Sequence, residues 1–187
     1  LSGDVEVPVA NYAFEPFAEP LPDVTQKAFR DAMARLGSAV HVVTTDGPGG
    51  TGGFTASAVT SVTDTPPTLL VCVNTSVSAF AALRENGVLC INTLGSRHRE
   101  VSRLFSEKVG LDARFGSARW RTGITGAPIL ADAVVSFDCR IIDEKAIGTH
   151  SVFFCEVLGL PHDGEDEALI YFNRAYHRLG SASRIEN

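Results

Sequence analysis

Residues Thr51–Ser78 read TGGFTASAVTSVTDTPPTLLVCVNTSVS, and this stretch decides the fold. Along Phe54–Thr63, the apolar Phe54, Ala56 and Ala58 alternate with Thr55, Ser57 and Ser61, with Val59 as the exception. A period of two marks a strand with one apolar face and one hydroxylated face. Small hydroxyl residues make a shallow floor on which a flat group can lie. Pro66 and Pro67 turn the chain. Thr68–Val73 is a nearly continuous apolar run and is expected to be a buried strand beside the first. It ends at Asn74, and Thr75, Ser76 and Ser78 then stand where a helix is expected to begin. Free N–H groups and hydroxyls at such a point favour an anion. A flat floor beside an anion site suits a phosphorylated planar cofactor.

Upstream, Gly47, Gly49 and Gly52 satisfy G-x-G-x-x-G. A dinucleotide fingerprint requires a helix after the glycines. FTASAVTSV follows instead, β-branched and alternating, so Asp46–Gly50 is read as a tight turn after a strand at Ser38–Thr45. Gly52 and Gly53 are expected to let a backbone approach a ligand closely. Thr25–Leu36 is predicted to be a helix capped by Thr25, with Ala28, Phe29, Ala32, Met33 and Leu36 on one stripe. Residues 1–24 carry prolines at 8, 16, 20 and 22 and show no period. They are read as an extended or flexible arm, leaving 25–187 as one domain.

Downstream, helices are expected at Ala79–Asn86 and Arg97–Lys108, the second with Val101, Leu104 and Phe105 inward. Strands are expected at Val88–Leu94, Ala133–Asp143, Thr149–Leu158 and Ala168–Phe172, the last followed by a polar tail. Residues 110–130 are turn-rich, and Pro161–Glu167 reads as an acidic, solvated hairpin loop. Six or seven strands, three short helices and no βαβ alternation predict a mainly β protein, an antiparallel barrel with a few helical decorations.

A chain of 187 residues, 44% apolar and 20% charged, is long and apolar enough for one domain with a full core. The formal net charge of −6 argues against a nucleic-acid or anionic-membrane partner. No apolar run approaches the roughly 18–20 residues of a membrane span. The first residues lack a basic region followed by an apolar one, so a cytoplasmic location is expected. Cys72, Cys90, Cys139 and Cys155 lie in apolar runs without a CxxC pair and are read as buried thiols. Among the histidines, His41 and His162 are expected to be structural, and His98, between Arg97 and Arg99, to sit on a solvated helix face or else to contact a cofactor phosphate or a partner subunit.

The motifs that follow one another along the chain are G-F-T-A-S-A-V-T-S-V (Gly53–Val62), Pro66-Pro67, V-C-V-N (Val71–Asn74) and I-N-x-L (Ile91–Leu94). Then come H-R-x-V-x-x-L-F (His98–Phe105), W-x-x-G-x-x-G-x-P-I-L (Trp120–Leu130), G-x-H (Gly148–His150) and Y-F-x-R-x-Y (Tyr171–Tyr176). As an ordered set over about residues 25–180 they resemble the short-chain flavin reductases, the NAD(P)H:flavin oxidoreductase components of two-component flavin-dependent monooxygenases. The resemblance implies a split β-barrel flavin-binding fold and a homodimer. It implies hydride transfer from NAD(P)H to FMN or FAD, with reduced flavin supplied to a separate monooxygenase component.

Carried over residue by residue, the resemblance places flavin contacts at Thr55, Ala56, Ser57, Cys72, Asn74, Ser76 and Ser78. It places His150 over the nicotinamide, with Tyr176 as a further contact. The family's G-D-H reads G-T-H here, so Thr149 replaces a carboxylate that would orient the imidazole. No catalytic side chain and no metal are expected, because both reactive groups belong to the cofactors. A flavin that must leave again is expected to be held by hydroxyl and backbone donors in place of an arginine clamp. FMN and FAD both remain open, and NADH is expected over NADPH for want of an evident basic pocket. The alternative is a flavin-binding storage or redox-sensing module without turnover.

Overall fold

A computed structural model describes residues 23–161 and 167–180. Most of the expected arm at 1–24, His162 and most of the acidic loop lie outside the described residues. The chain divides into an N-terminal unit ending at Met33 and a main unit beginning at Ala34. The N-terminal unit contributes α1 (Gln26–Met33). Thr25 caps it as expected, its Oγ1 accepting the Ala28 amide at 3.1 Å. The helix stops three residues short of the expected Leu36, and its apolar stripe is left uncovered: α1 buries no residue, and Phe29 and Met33 are exposed. A 3.6-residue period records a preferred face and supplies no partner for it.

In the main unit the strands are β1 (Ser38–Ala39), β2 (His41–Thr45), β3 (Gly52–Ala56), β4 (Val59–Asp64), β5 (Pro67–Asn74) and β6 (Val88–Thr93). They continue as β7 (Trp120–Thr122), β8 (Pro128–Leu130), β9 (Val135–Ile147), β10 (His150–Gly159), β11 (Ala168–Phe172) and β12 (Ala175–Leu179). The helices are α2 (Phe80–Asn86), α3 (Arg99–Ser106), preceded by a 3-10 turn at Ser96–His98, and α4 (Leu111–Phe115). Twelve strands among the described residues replace the six or seven expected.

The extra strands have local causes. The run at 38–45 is cut at Val40, so that β1 pairs with β11 while β2 pairs with β3 and β6. The run expected over Phe54–Thr63 is cut at Ser57 and Ala58 into β3 and β4. The turn-rich segment folds into the β7–β8 hairpin, and part of the supposed polar tail is β12, paired with β11.

Seven strands form an antiparallel sheet in the order β3-β2-β6-β9-β10-β5-β4. Its two edge strands, β3 and β4, are neighbours in the chain. One core takes Phe54 and Ala56 from one edge, Leu69, Val71 and Val73 from beside the other, and Val43, Ile91 and Phe153 from between. A sheet whose opposite edges share one core is curled into a barrel. Ala79 and Leu83, around the start of α2, join the same cluster.

A second core lies outside this wall, where Val42 meets Leu94, Val101, Phe105, Leu130 and Leu169. Val42 and Val43 therefore serve opposite faces of β2, which is buried throughout. Asn92 pins the wall: its Nδ2 donates to Val42 O at 3.1 Å and Thr44 Oγ1 at 3.2 Å. Its Oδ1 accepts from Leu130 N at 2.8 Å and Ser136 Oγ at 2.9 Å.

The glycines of the early turn are packing devices. A Cβ on Gly49 would lie 2.8 Å from Glu85 Cβ, and one on Gly53 would lie 2.7 Å from Phe105 Cε1. Gly53 thus lets α3 come close to β3. After the glycines the chain runs as a strand, in keeping with the rejection of a dinucleotide fingerprint. No helix among the described residues is long and apolar enough to cross a membrane.

Candidate functional site

β3 carries Thr55 half-buried and Ala56 buried, with Ser57 exposed just past its end. Thr55 does not offer its hydroxyl to a cavity as a free donor, because Oγ1 donates to Ser102 O of α3 at 2.6 Å. The expected hydroxyl floor is also shorter than the sequence pattern, since Ser61 sits on β4 at the opposite sheet edge. Beside Thr55, Ala56 and Ser57 opens a cavity of about 270 Å³, completed by Val40, Ser106, Tyr171 and Tyr176. Tyr176 comes from β12, the strand hidden in the polar tail. Its Oη lies 2.8 Å from Ser102 Oγ, its ring meets Tyr171 edge-on at 5.5 Å, and the Arg99 guanidinium lies 6.0 Å from its centroid. The fixed ring and the β3 backbone make a narrow slot with aromatic and small-residue walls.

A second cavity, of about 480 Å³, shares Ser106 with the first. It is lined by Gly53, Phe54, Ser76, Ser78, Lys108 and Arg114 among others. The helix expected over Ala79–Asn86 is α2, with Ala79 as its N-cap, and the hydroxyls before it do not cap it. The segment from Thr75 is instead a turn held by Asn74, whose Oδ1 accepts from Ser76 N at 2.9 Å and Ser76 Oγ at 2.8 Å. Asn compensates the backbone in this way where a strand gives out.

Asn74 and His150 are cross-strand partners in the β5–β10 ladder. The connection tightens beyond them, Thr75 N donating to Thr149 O at 3.0 Å. His150 is exposed, and its Nδ1 lies 3.0 Å from Thr149 Oγ1. Thr149 therefore does supply an orienting contact in the place of the missing carboxylate. Cys72 is half-buried on β5, and its amide donates to Ala58 O at 3.0 Å, tying that strand to the residues that follow Ser57.

The nine expected residues thus fall into three groups. Thr55, Ala56, Ser57 and Tyr176 line one cavity, and Ser76 and Ser78 line the next. Asn74 and His150 face each other across the adjoining ladder, with Cys72 two residues along it. Sequence reading missed Ser106, Lys108 and Arg114. Arg114 lies in α4, inside a segment read only as turns, and no local pattern marks it.

The other histidines and the cysteines serve the framework. His41 is buried with Nδ1 3.1 Å from Thr93 Oγ1, and burial pushes its imidazole down to about 4. His98 is not on a solvated face. It is 5% exposed, its Nδ1 accepts the Gly95 amide at 3.0 Å, and its Nε2 lies 3.2 Å from Asp132 Oδ1. The 3-10 turn rotates this residue away from the register of α3, which a continuous helix would not do. Cys90, Cys139 and Cys155 are buried free thiols, and burial pushes Cys155 up to about 12.

Comparison with known proteins identifies the family. The profile described as "Flavin reductase like domain" matches residues 33–180. The chain is 57% identical over 158 residues to an FMN reductase (NADH) RutF of Ancylobacter novellus, covering 84% of this chain and 87% of that one. A crystal structure of a Haemophilus somnus protein assigned as a flavin reductase superposes with a TM-score of 0.81 at 46% identity, covering 83% of this chain and all of the other. BorF, the flavin reductase component of a bacterial two-component tryptophan halogenase, gives a TM-score of 0.77 at 26% identity, covering 84% and 99%.

Proposed function

The chain belongs to the flavin reductase-like family, and from that premise we propose that it reduces flavin with NADH and passes the reduced flavin to a separate oxygenase. FMN is the preferred flavin and NADH the preferred donor, following the naming of its 57% identical relative. The observation that carries this reading is the slot between Thr55–Ala56–Ser57 and Tyr176, which shares Ser106 with a second, larger cavity. A flat ring fits the slot, and its polar chain has somewhere to go.

When bound, the two cofactors supply the whole redox step, a hydride passing from the dihydronicotinamide to the flavin. The chain's own part is to position and to keep out water. Ala56 and the small Ser57 let a ring approach the β3 backbone, and Tyr176 limits its tilt. Cys72 lies beside the residues that follow Ser57, its amide donating to Ala58 O at 3.0 Å. Asn74 and Ser76 fix the turn that ends β5, with Ser78 presenting a hydroxyl. His150, exposed at the start of β10, is placed to cover a nicotinamide, and the Thr149 hydroxyl holds its ring. This open approach favours turnover over flavin storage or sensing.

Residues 25–187 constitute the reductase, with 1–24 as an accessory arm. A homodimer in the cytoplasm completes the proposal. Exposed Ile142, Ile147, Val62 and Leu158, on strands of one contiguous part of the sheet, give the apolar surface that a second copy would cover.

The deciding measurement is steady-state NADH oxidation by purified protein with FMN, with FAD and without flavin. Oxidation that depends on added flavin and is fastest with FMN is expected. NADH left untouched at saturating FMN sinks the reading.

A further inference from the structure

His150 stands at a part of the fold that packing does not hold. It pairs with Ile147 across β9 and β10, so Gly148 and Thr149 form a tight turn, with Gly148 at a φ of 59°. Glycine at the first position of so short a turn suits the twist of the flanking strands. Residues Lys145–His150 are all exposed, so no core lies behind this tip. A hairpin end of that kind opens easily unless polar contacts fasten it. Thr75 fastens this one with both of its donors. Its N donates to Thr149 O at 3.0 Å, and its Oγ1 donates to the same oxygen at 3.3 Å. Asn74 shapes the turn that carries Thr75, its Oδ1 accepting from Ser76 N and Ser76 Oγ. Beyond the clamp, Thr149 Oγ1 lies 3.0 Å from His150 Nδ1. Thr149 thus gives its carbonyl to Thr75 and its hydroxyl to the imidazole. Thr75 itself lines neither the slot nor the larger cavity.

We propose that Thr75 is a positioning residue for NADH, acting through Thr149 to hold His150 in one pose, with the Thr149 hydroxyl donating to Nδ1 and the Nε2–H left to face the dinucleotide. The inference rests on the reading above that places His150 over the nicotinamide. In a neutral imidazole one nitrogen donates and the other accepts, and the partner of one decides the state of the other. A hydroxyl donating to Nδ1 therefore presents Nε2 as a donor. A ring already fixed in that pose has no rotational freedom left to lose when the nicotinamide arrives. The gain falls on NADH and not on the flavin, because Thr75 reaches the site only through the hairpin tip.

The test pairs steady-state NADH oxidation at saturating FMN with FMN binding followed by fluorescence quenching. Thr75→Val loses the hydroxyl and keeps the amide. It is expected to raise the KM for NADH about threefold, with kcat and the Kd for FMN within about twofold of the parent. Thr75→Ser is expected to return the parent's KM, and Thr149→Val to raise it by about the same factor as Thr75→Val. In a His150→Ala background Thr75→Val is expected to add nothing, because its route to the cofactor is gone. An unchanged KM in Thr75→Val overturns the proposal, as does a variant that weakens FMN and NADH alike or an effect that persists in full without His150. The pose is read separately by nitrogen NMR of protein carrying labelled histidine, without cofactors, the His150 signals being those lost in His150→Ala. The Nε2–H tautomer with a hydrogen-bonded Nδ1 is expected in the parent, and mixed tautomers in Thr149→Val. His150 signals that are the same in Thr149→Val and the parent overturn the proposal whether or not NADH is oxidised. A parent that leaves NADH untouched, while those signals respond to Thr75→Val and Thr149→Val, keeps the positioning and removes the reductase reading.

Discussion

Tyr176 and His41 show how single residues divide between ligand and framework. Tyr176 is held from behind by Ser102 Oγ at 2.8 Å, so its ring faces the β3 cavity in one pose. Tyr176→Phe is expected to cost about 1 kcal/mol of stability and little flavin affinity, whereas Tyr176→Ala removes the wall itself. A Tyr176→Ala protein that binds FMN as tightly as the parent would show that the ring sits elsewhere. His41 has a pH signature. Its folded-state value of about 4 lies below the ordinary 6.5, so between the two the unfolded chain binds a proton that the folded chain refuses. Its contribution is complete above pH 6.5 and falls as the pH drops toward 4, by up to about 3 kcal/mol. Urea midpoints of the parent across that window are expected to fall more steeply than those of His41→Gln, and parallel curves would refute the assignment. Thr55, Ser57 and Ser78 could be picked out of the sequence because a strand pattern and a motif order mark them. Arg114 could not, since its importance comes from a burial that no neighbouring residue announces.

At the scale of elements, the joints between strands matter most. Asn92 joins β2, β6, β8 and the Ser136 end of β9 through four hydrogen bonds. Asn92→Leu leaves the Leu130 amide and the Ser136 hydroxyl without their partner and is expected to cost roughly 3 kcal/mol in urea titrations followed by Trp120 fluorescence. A loss below about 1 kcal/mol would mean that the wall does not depend on this pin. Gly53→Ala tests the seam between β3 and α3, because its Cβ would meet Phe105 Cε1 at 2.7 Å and Val43 O at 3.0 Å. A cost of about 1–3 kcal/mol is expected, measured the same way. The β11–β12 hairpin escaped sequence reading for a reason visible in its turn. Asn173 and Arg174 both adopt positive φ, at 48° and 63°, and Asn-Arg lacks the glycine that usually signals such a turn. The break at Ser57 and Ala58 left one trace, the departure of Val59 from the alternation, which does not by itself show that the backbone changes sheet edges.

For the whole molecule, the expected state is a homodimer. Light scattering is expected to give about twice the 19.9 kDa of one chain, and Ile142→Asp with Ile147→Asp is expected to shift it toward one. A monomeric mass at every concentration would refute the dimer. By itself the sequence determined that the protein is mainly β, that its glycine-rich turn leads into a strand, and that the ordered motifs are those of a flavin reductase. These follow from alternation and motif order, which are properties of neighbours along a chain. Only the tertiary structure decided that β3 and β4 lie at opposite edges of one curled sheet and that Tyr176 closes the slot beside Thr55. It also decided that a buried arginine stands next to Ser78. These join residues distant in the chain, and such contacts arise from the closing of a barrel around a shared core, which no local window contains.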